Sequence, residues 1–196
     1  AKEALRRGAS LIILDDGFQH RRLHRDLDIV CIDARWPSGR GAIPVGTGRE
    51  AWPALKRANL LWVHNLDDLG AHFSVPGFGD TLPQVRSRLR PRAWARAGHE
   101  VALAAVAGPA PVFVGIARPE SFLGTLSDLG VAVTRVIAVP DHRALPRPPP
   151  GALVTEKDAA RLAPDADVWA LRCELEVEGA EAALNAIRAL RDEAPP

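Results

Sequence analysis

Apolar runs of strand length recur along this chain, separated by polar or glycine- and proline-rich stretches. The first, 11–14, ends in Asp15 and Asp16; the next, 29–32, ends in Asp33. Both read as strands, 11–15 and 28–33, of the continuous apolar kind that a parallel sheet buries on both faces. Residues 2–8 read as the end of a helix closed by Gly8. The segment 34–50 is rich in Gly and Pro and reads as an ordered functional loop. A helix fits 51–58, with Pro53 in its first turn, and NLLWVH (59–64) is the next strand. The middle, 66–110, is less patterned: loops around 74–83, a basic amphipathic stretch at 84–90, a weak strand RAWARAG, and AGPAP (107–111) as a linker. From Val112 the pattern resumes. VFVGIA is a strand, Pro119 opens a helix to Leu129 that Gly130 stops, and VAVTRVIAV returns as a strand. PRPPPG (146–151) is a stiff loop, ALVT a strand, EKDAARL a short helix, and ADVWALRCELEV one or two strands. An amphipathic helix closes the chain over 180–193, with Ala183, Leu184, Ile187 and Leu190 on one face. This alternation predicts an α/β fold with a mainly parallel, doubly wound sheet, divided into residues 1–108 and a smaller α/β domain, 109–196.

Composition narrows the class. The 196 residues are 47% hydrophobic and 25% charged, enough apolar material for a real core. No stretch reaches the 18 or so apolar residues of a membrane-spanning helix. Net charge is only +1, yet it is uneven. Residues 1–58 hold 11 Lys/Arg against 7 Asp/Glu, and 165–196 hold 3 against 8. A basic front suits an anionic partner. There is no Tyr and no aromatic interleaving of the kind a single-strand binder uses, so nucleic acid is not expected. Cys31 and Cys173 sit in apolar, strand-like contexts and read as reduced, buried small hydrophobes of a cytosolic protein. The chain begins at Ala1 and contains no Met, so it reads as part of a longer protein.

Several residue groups bear on chemistry. Asp15-Asp16 is either the acidic cap of a strand end or the Mg²⁺-coordinating acid pair of a nucleotide site, since adjacent carboxylates are costly to bury without a cation. Gln19 and His20, in DGFQH, contact a nucleotide or fix the loop. In GRGAIPVGTGRE the glycines let backbone N–H groups approach a ligand. Arg49 there either neutralises phosphate charge or forms a surface ion pair with little effect. Asp141 and His142 are adjacent and so are not a dyad with each other; His142 can pair with a carboxylate from elsewhere. TEKD (155–158) reads as an N-cap threonine with a charged first turn, which accounts for Glu156 and leaves Lys157 and Asp158 open. No GxxxxGK[ST] phosphate loop occurs in these residues.

Together, DDGFQHRRLHRDLDIVCIDA, the Gly-rich loop ending in RE, LKRANLLWVHN, GIARPESFLGTLSDLG, PDH and LVTEKDAARL resemble the tetraacyldisaccharide 4′-kinases, the lipid A 4′-kinases of Gram-negative bacteria. The stretches follow the family's order from residue 11 to about 162. The resemblance implies a P-loop-NTPase-like domain, incomplete here at its N-terminus (1–108, the Walker B side), followed by a smaller α/β domain, with the active site in the cleft between them. It implies transfer of the γ-phosphate of ATP to the 4′-hydroxyl of a tetraacylated glucosamine disaccharide, with Mg²⁺, at the cytoplasmic face of the inner membrane. Asp15 and Asp16 match the metal-binding acids, Gln19 and His20 the loop beside them, Arg49 and Glu50 the phosphate- and Mg-proximal pair. His142 matches the histidine that partners the family's catalytic aspartate. Arg40 and Thr47-Gly48 depart from the family pattern, and the latter is expected to loosen the approach to Arg49. The family's phosphate loop, membrane-associating helix and catalytic aspartate lie upstream of what matches Ala1. The chain alone is therefore expected to be an inactive monomer that meets its lipid substrate at the membrane surface. Two other readings compete: a non-catalytic nucleotide-binding or interaction module, and a metal-dependent hydrolase built on Asp15, Asp16, His20 and His142.

Overall fold

The computed structural model describes residues 2–35, 42, 48–66, 73–75, 82–106, 108–140 and 144–192. They form an α/β fold whose strands pair mainly in parallel, as the alternation predicts. Two compact units divide it: Ala1–Arg88 with Val177–Pro196, and Leu89–Glu176. The division therefore differs from the expected one at 108/109. Two long strands, β3 (Gln84–Arg96) and β8 (Val168–Glu178), contribute residues to both units, and the last helix belongs with the first unit.

In the first unit a short helix α1 (Lys2–Arg6) is closed by Gly8 at φ +79°. Strand β1 (Ile29–Asp33) pairs in parallel with β2 (Leu60–His64), and β2 with the start of β3. The middle strand β2 is buried on both faces, which is why its sequence is continuously apolar. Leu61 and Val63 pack with Ile32, Leu55 and Val75 on one face. Leu60 packs with Val85 and Ala183 on the other. The segment 52–57 is a 3-10 helix, not an α-helix, and buries only Leu55. Helix α4 (Ala180–Asp192) presses Ala182 and Ala183 to the core, while Leu184 and Ile187 are exposed, so only part of the expected apolar face is buried.

The expected strand at 11–15 does not form. Among the described residues nothing pairs with it, and Leu11, Ile12, Ile13 and Leu14 are all exposed. An apolar run becomes a buried strand only where neighbours supply its hydrogen bonds. Cys31 is also exposed, against expectation, and Cys173 is partly covered.

In the second unit β5 (Ala110–Val114) lies between β6 (Val133–Ala138) and β7 (Ala152–Thr155), and β7 pairs with β8, all in parallel. The expected linker thus runs into a central strand. Pro111 is tolerated there because the register slips between Ala110 and Pro111. The basic stretch and the weak strand RAWARAG prove to be one strand, β3, which pairs antiparallel with β4 (His99–Ala102) through a turn at Ala97 and Gly98. Helix α2 (Pro119–Asp128) drops Phe122 and Leu126, four apart, into a core with Trp94, Val112, Val114, Leu153 and Leu171. On the opposite sheet face Phe113, Ala152, Val154, Val168 and Ala170 form a second cluster.

Candidate functional site

Asp15 and Asp16 lie on the turn after the apolar run, both exposed. Asp16 adopts a left-handed φ of +58°, and the Cβ that Gly17 lacks would meet Leu14 Cβ at 2.7 Å, so the turn is tight. Arg49 forms an ion pair with Asp16 Oδ1, and each side chain is 61% exposed. The hydrogen bond from Arg49 holds the Asp16 carboxyl below its ordinary range. In turn the Asp16 hydrogen bond, with the charge of Asp15 a smaller contribution, raises Arg49. Two anions and one cation thus meet at the surface, where a pair adds little stability of its own.

The neighbouring contacts are better covered. Glu50 accepts a hydrogen bond from Arg57 Nη2 at 2.7 Å and one from Arg21 Nη2 at 3.4 Å. The Arg57 bond is the main reason its carboxyl is held low. The Arg57 guanidinium also stacks over the Phe18 ring, 4.3 Å from its centroid. Glu50 and Arg57 therefore tie the end of the glycine-rich loop to DGFQH and place Arg49 beside Asp16. Gln19 and His20 are exposed in that loop. Arg25 forms a bidentate pair with Asp28, at 2.6 and 3.1 Å, and donates to the carbonyls of His20 and Leu23. Asp28 N–H in turn donates to Asn59 Oδ1, at 2.8 Å, which locks this loop to the start of β2.

Asp15, Asp16, Gln19, His20, Arg49 and Glu50 are thus all in the first unit, and the structure brings Asp16 to Arg49 and Glu50 to Arg57 and Arg21. His142, with Asp141, Arg40 and Thr47, lies outside the described residues. Among the described residues no three His, Cys, Asp or Glu side chains converge as a metal cage. Mg²⁺ does not need one: it takes one or two carboxylates and fills its other positions with water and phosphate oxygens. The exposed Asp15 and Asp16 fit that hard-oxygen pattern.

The TEKD segment resolves as structure. Thr155 caps the four-residue helix α3 (Glu156–Ala159), accepting from Asp158 N–H. Asp158 is fully buried, and its Oδ2 accepts from Gly115 N–H at 3.1 Å and from the Thr155 hydroxyl at 2.9 Å. Arg161 donates to the Gly115 carbonyl and lies 3.7 Å from Asp158 Oδ1. Glu156 accepts from Arg172 and from Cys173 N–H.

The family model for tetraacyldisaccharide-1-P 4′-kinase matches residues 1–191. The chain belongs to that family. The tetraacyldisaccharide 4′-kinase of Anaeromyxobacter sp. strain K is 38% identical over 200 residues, covering 97% of this chain and 51% of that protein. The one from Elusimicrobium minutum is 39% identical over 157 residues, 73% and 41% of the two. The crystal structure of the "apo" form of LpxK from Aquifex aeolicus in complex with ATP superposes with a TM-score of 0.73 at 26% identity, over 96% of this chain and 60% of that one. The chain spans about half the length of the curated relatives it matches. As a member of this kinase family it shares their α/β fold, and its site carries partners that spacing does not announce. Arg57 and Phe18 are 39 residues apart, and a polar row of Asp33, His64 and Ser87 crosses three strands.

Proposed function

We propose that this chain is the part of a tetraacyldisaccharide 4′-kinase that binds Mg²⁺ and orders the transferred phosphate of ATP. The observation that carries this reading is the Asp15-Asp16 turn facing Arg49 on a chain of this family. Two carboxylates and an adjacent guanidinium, exposed together, are what a polyphosphate with its cation requires. Asp15 and Asp16 would hold the Mg²⁺. When bound, that ion offsets charge on the phosphates. Arg49, beside Asp16, would offer its donors to a phosphate oxygen. Glu50 keeps Arg49 in position through Arg57, and Gln19 and His20 border the same turn. His142, assigned through the family pattern, would orient and deprotonate the sugar hydroxyl together with an aspartate that these residues do not supply.

The acceptor is an acylated glucosamine disaccharide, met by a monomer at the cytoplasmic face of the inner membrane. Among the described residues no helix is long and apolar enough to cross a membrane, in keeping with peripheral attachment. A metal-dependent hydrolase is less well supported, because the described residues hold no three-ligand cluster.

The test is twofold. Isothermal titration with Mg²⁺ and ATP should give binding that Asp16→Asn and Arg49→Ala each weaken; binding unaffected by both variants would overturn the site. The 196 residues alone should give no ATP-dependent phosphorylation of the disaccharide lipid, since no Walker A sequence is among them. Turnover would overturn that expectation.

A further inference from the structure

A second polar assembly in the first unit has no part in the phosphate site. Asp33 is the register partner of His64, and His64 of Ser87, at the carboxyl ends of the parallel strands β1 and β2 and beside the first residues of β3. Register partners point to the same sheet face, so the three form a row, and Trp62, two residues before His64, shares it. Ligands of parallel α/β sheets bind at this end of the strands.

The hydrogen bonds give the row a direction. An indole N–H can only donate. Trp62 Nε1 donates to Ser87 Oγ at 2.8 Å, and the serine hydroxyl, 3.0 Å from His64 Nδ1, is placed to donate to it. With Nδ1 as the acceptor, the neutral ring carries its proton on Nε2. Ser87 is fully buried, so water does not compete for this relay. Burial lowers the pKa of His64 below its ordinary 6.5; Asp33 acts against that and Arg35 with it. Beside the ring, Asn65 holds a left-handed φ of +62° and donates to Asp33 Oδ1 at 3.0 Å, an oxygen that also accepts Arg35 N–H at 3.1 Å. Closing the strand ends needs only Asp33 and Asn65. The relay adds a ring whose Nδ1 faces the buried serine hydroxyl, next to a carboxylate.

We propose that this row reads a nucleobase, the purine of the nucleotide whose phosphates meet Asp16 and Arg49. His64 Nε2–H donates to a ring nitrogen, and Asp33 accepts from the amino group beside it. An adenine edge presents such an acceptor and donor side by side. Ser87 and Trp62 are positioning residues, acting through His64. The inference rests on the ATP reading, and the test separates the two.

The experiment is NMR on the 196-residue protein, titrated separately with adenosine and with inorganic triphosphate, each with Mg²⁺. Long-range ¹⁵N–¹H spectra should show His64 as the Nε2–H tautomer. Adenosine should shift His64 and the Trp62 indole N–H, and triphosphate should shift Arg49 and leave His64 in place. His64→Ala should weaken adenosine binding about tenfold, the scale of one lost hydrogen bond in a desolvated site, without changing the triphosphate response. Ser87→Ala should mix the tautomers and weaken adenosine less. Should that variant not fold, His64→Gln, which keeps an N–H donor, should retain more binding than His64→Ala. Triphosphate shifting Arg49 while adenosine leaves His64 unmoved would overturn the base site and leave the ATP reading intact. Silence in both titrations would overturn both. His64 shifting equally with either probe would also overturn it.

Discussion

Asp16 and Asp158 follow similar apolar runs, yet the chain uses them in opposite ways. Asp158 has no exposed surface; its Oδ2 takes two hydrogen bonds, and Arg161 stands beside its Oδ1. It holds the second unit's backbone together at Gly115. Asp16 is open to water and held by one exposed arginine. A buried carboxylate must be matched inside the protein, because nothing else can offset its desolvation. An exposed one costs nothing to leave half-satisfied, and so stays available to a cation or ligand. Burial, more than residue type or position after a strand, separates the structural acid from the chemical one.

The sharpest way to break this contrast is to remove both acids. Asp158→Ala should cost about 3 kcal/mol in urea denaturation, since it orphans Gly115 N–H and leaves Arg161 beside a cavity. Asp16→Ala should stay within about 0.5 kcal/mol of the parent. Similar losses for the two would end the distinction.

Gly115→Ala probes the same buried joint from the backbone side. Its Cβ would stand 2.6 Å from Leu145 Cδ2 and 3.1 Å from Asp158 Oδ1. The leucine tip can move and the carboxylate cannot, so a loss of about 2 kcal/mol by thermal or urea unfolding is expected. In the first unit, Arg25→Lys should cost about 1.5 kcal/mol, because a lysine cannot keep the two-point contact with Asp28 and also cap two carbonyls. No loss there would mean that the opening loop is held by something other than this pair.

The smallest effect is a dependence on pH. Glu50 is held below its ordinary 4.5 chiefly by Arg57. A carboxyl with a depressed folded pKa contributes stability above the unfolded value and loses it as pH falls through the folded one. The parent should therefore exceed Glu50→Gln by about 1 kcal/mol at pH 7, and the two should converge below pH 4.5. Denaturation curves at several pH values would show this; a gap that persists in acid would mean that Glu50 does not act through its charge.

Much of the fold is legible because β1, β2, β5 and β7 are short apolar runs with clear stops. The run at 11–14 has the same signature and yet forms no strand, since periodicity reports what a segment can bury and not whether a partner lies beside it. Strand β3 hides for the opposite reason: its arginines mask Val85, Ser87 and Trp94, all buried. At the site, Asp15, Asp16, Arg49 and Glu50 announce themselves by residue type and by the glycines around them. Phe18 and Arg57 do not, because a cation over a ring 39 residues away leaves no trace in spacing. Ser87 is invisible for a simpler reason: a serine in a basic stretch looks solvated until the sheet places it under an indole.

The turn between β3 and β4 has a consequence of its own. Two-residue hairpins ask for left-handed backbone at both central positions, and Gly98 meets that demand at φ +83° while Ala97 meets it only under strain, at φ +49°. Asparagine or glycine at position 97 would fit the bend, so the protein holds a ready place for a stabilising substitution, on a hairpin short enough to zip early in refolding.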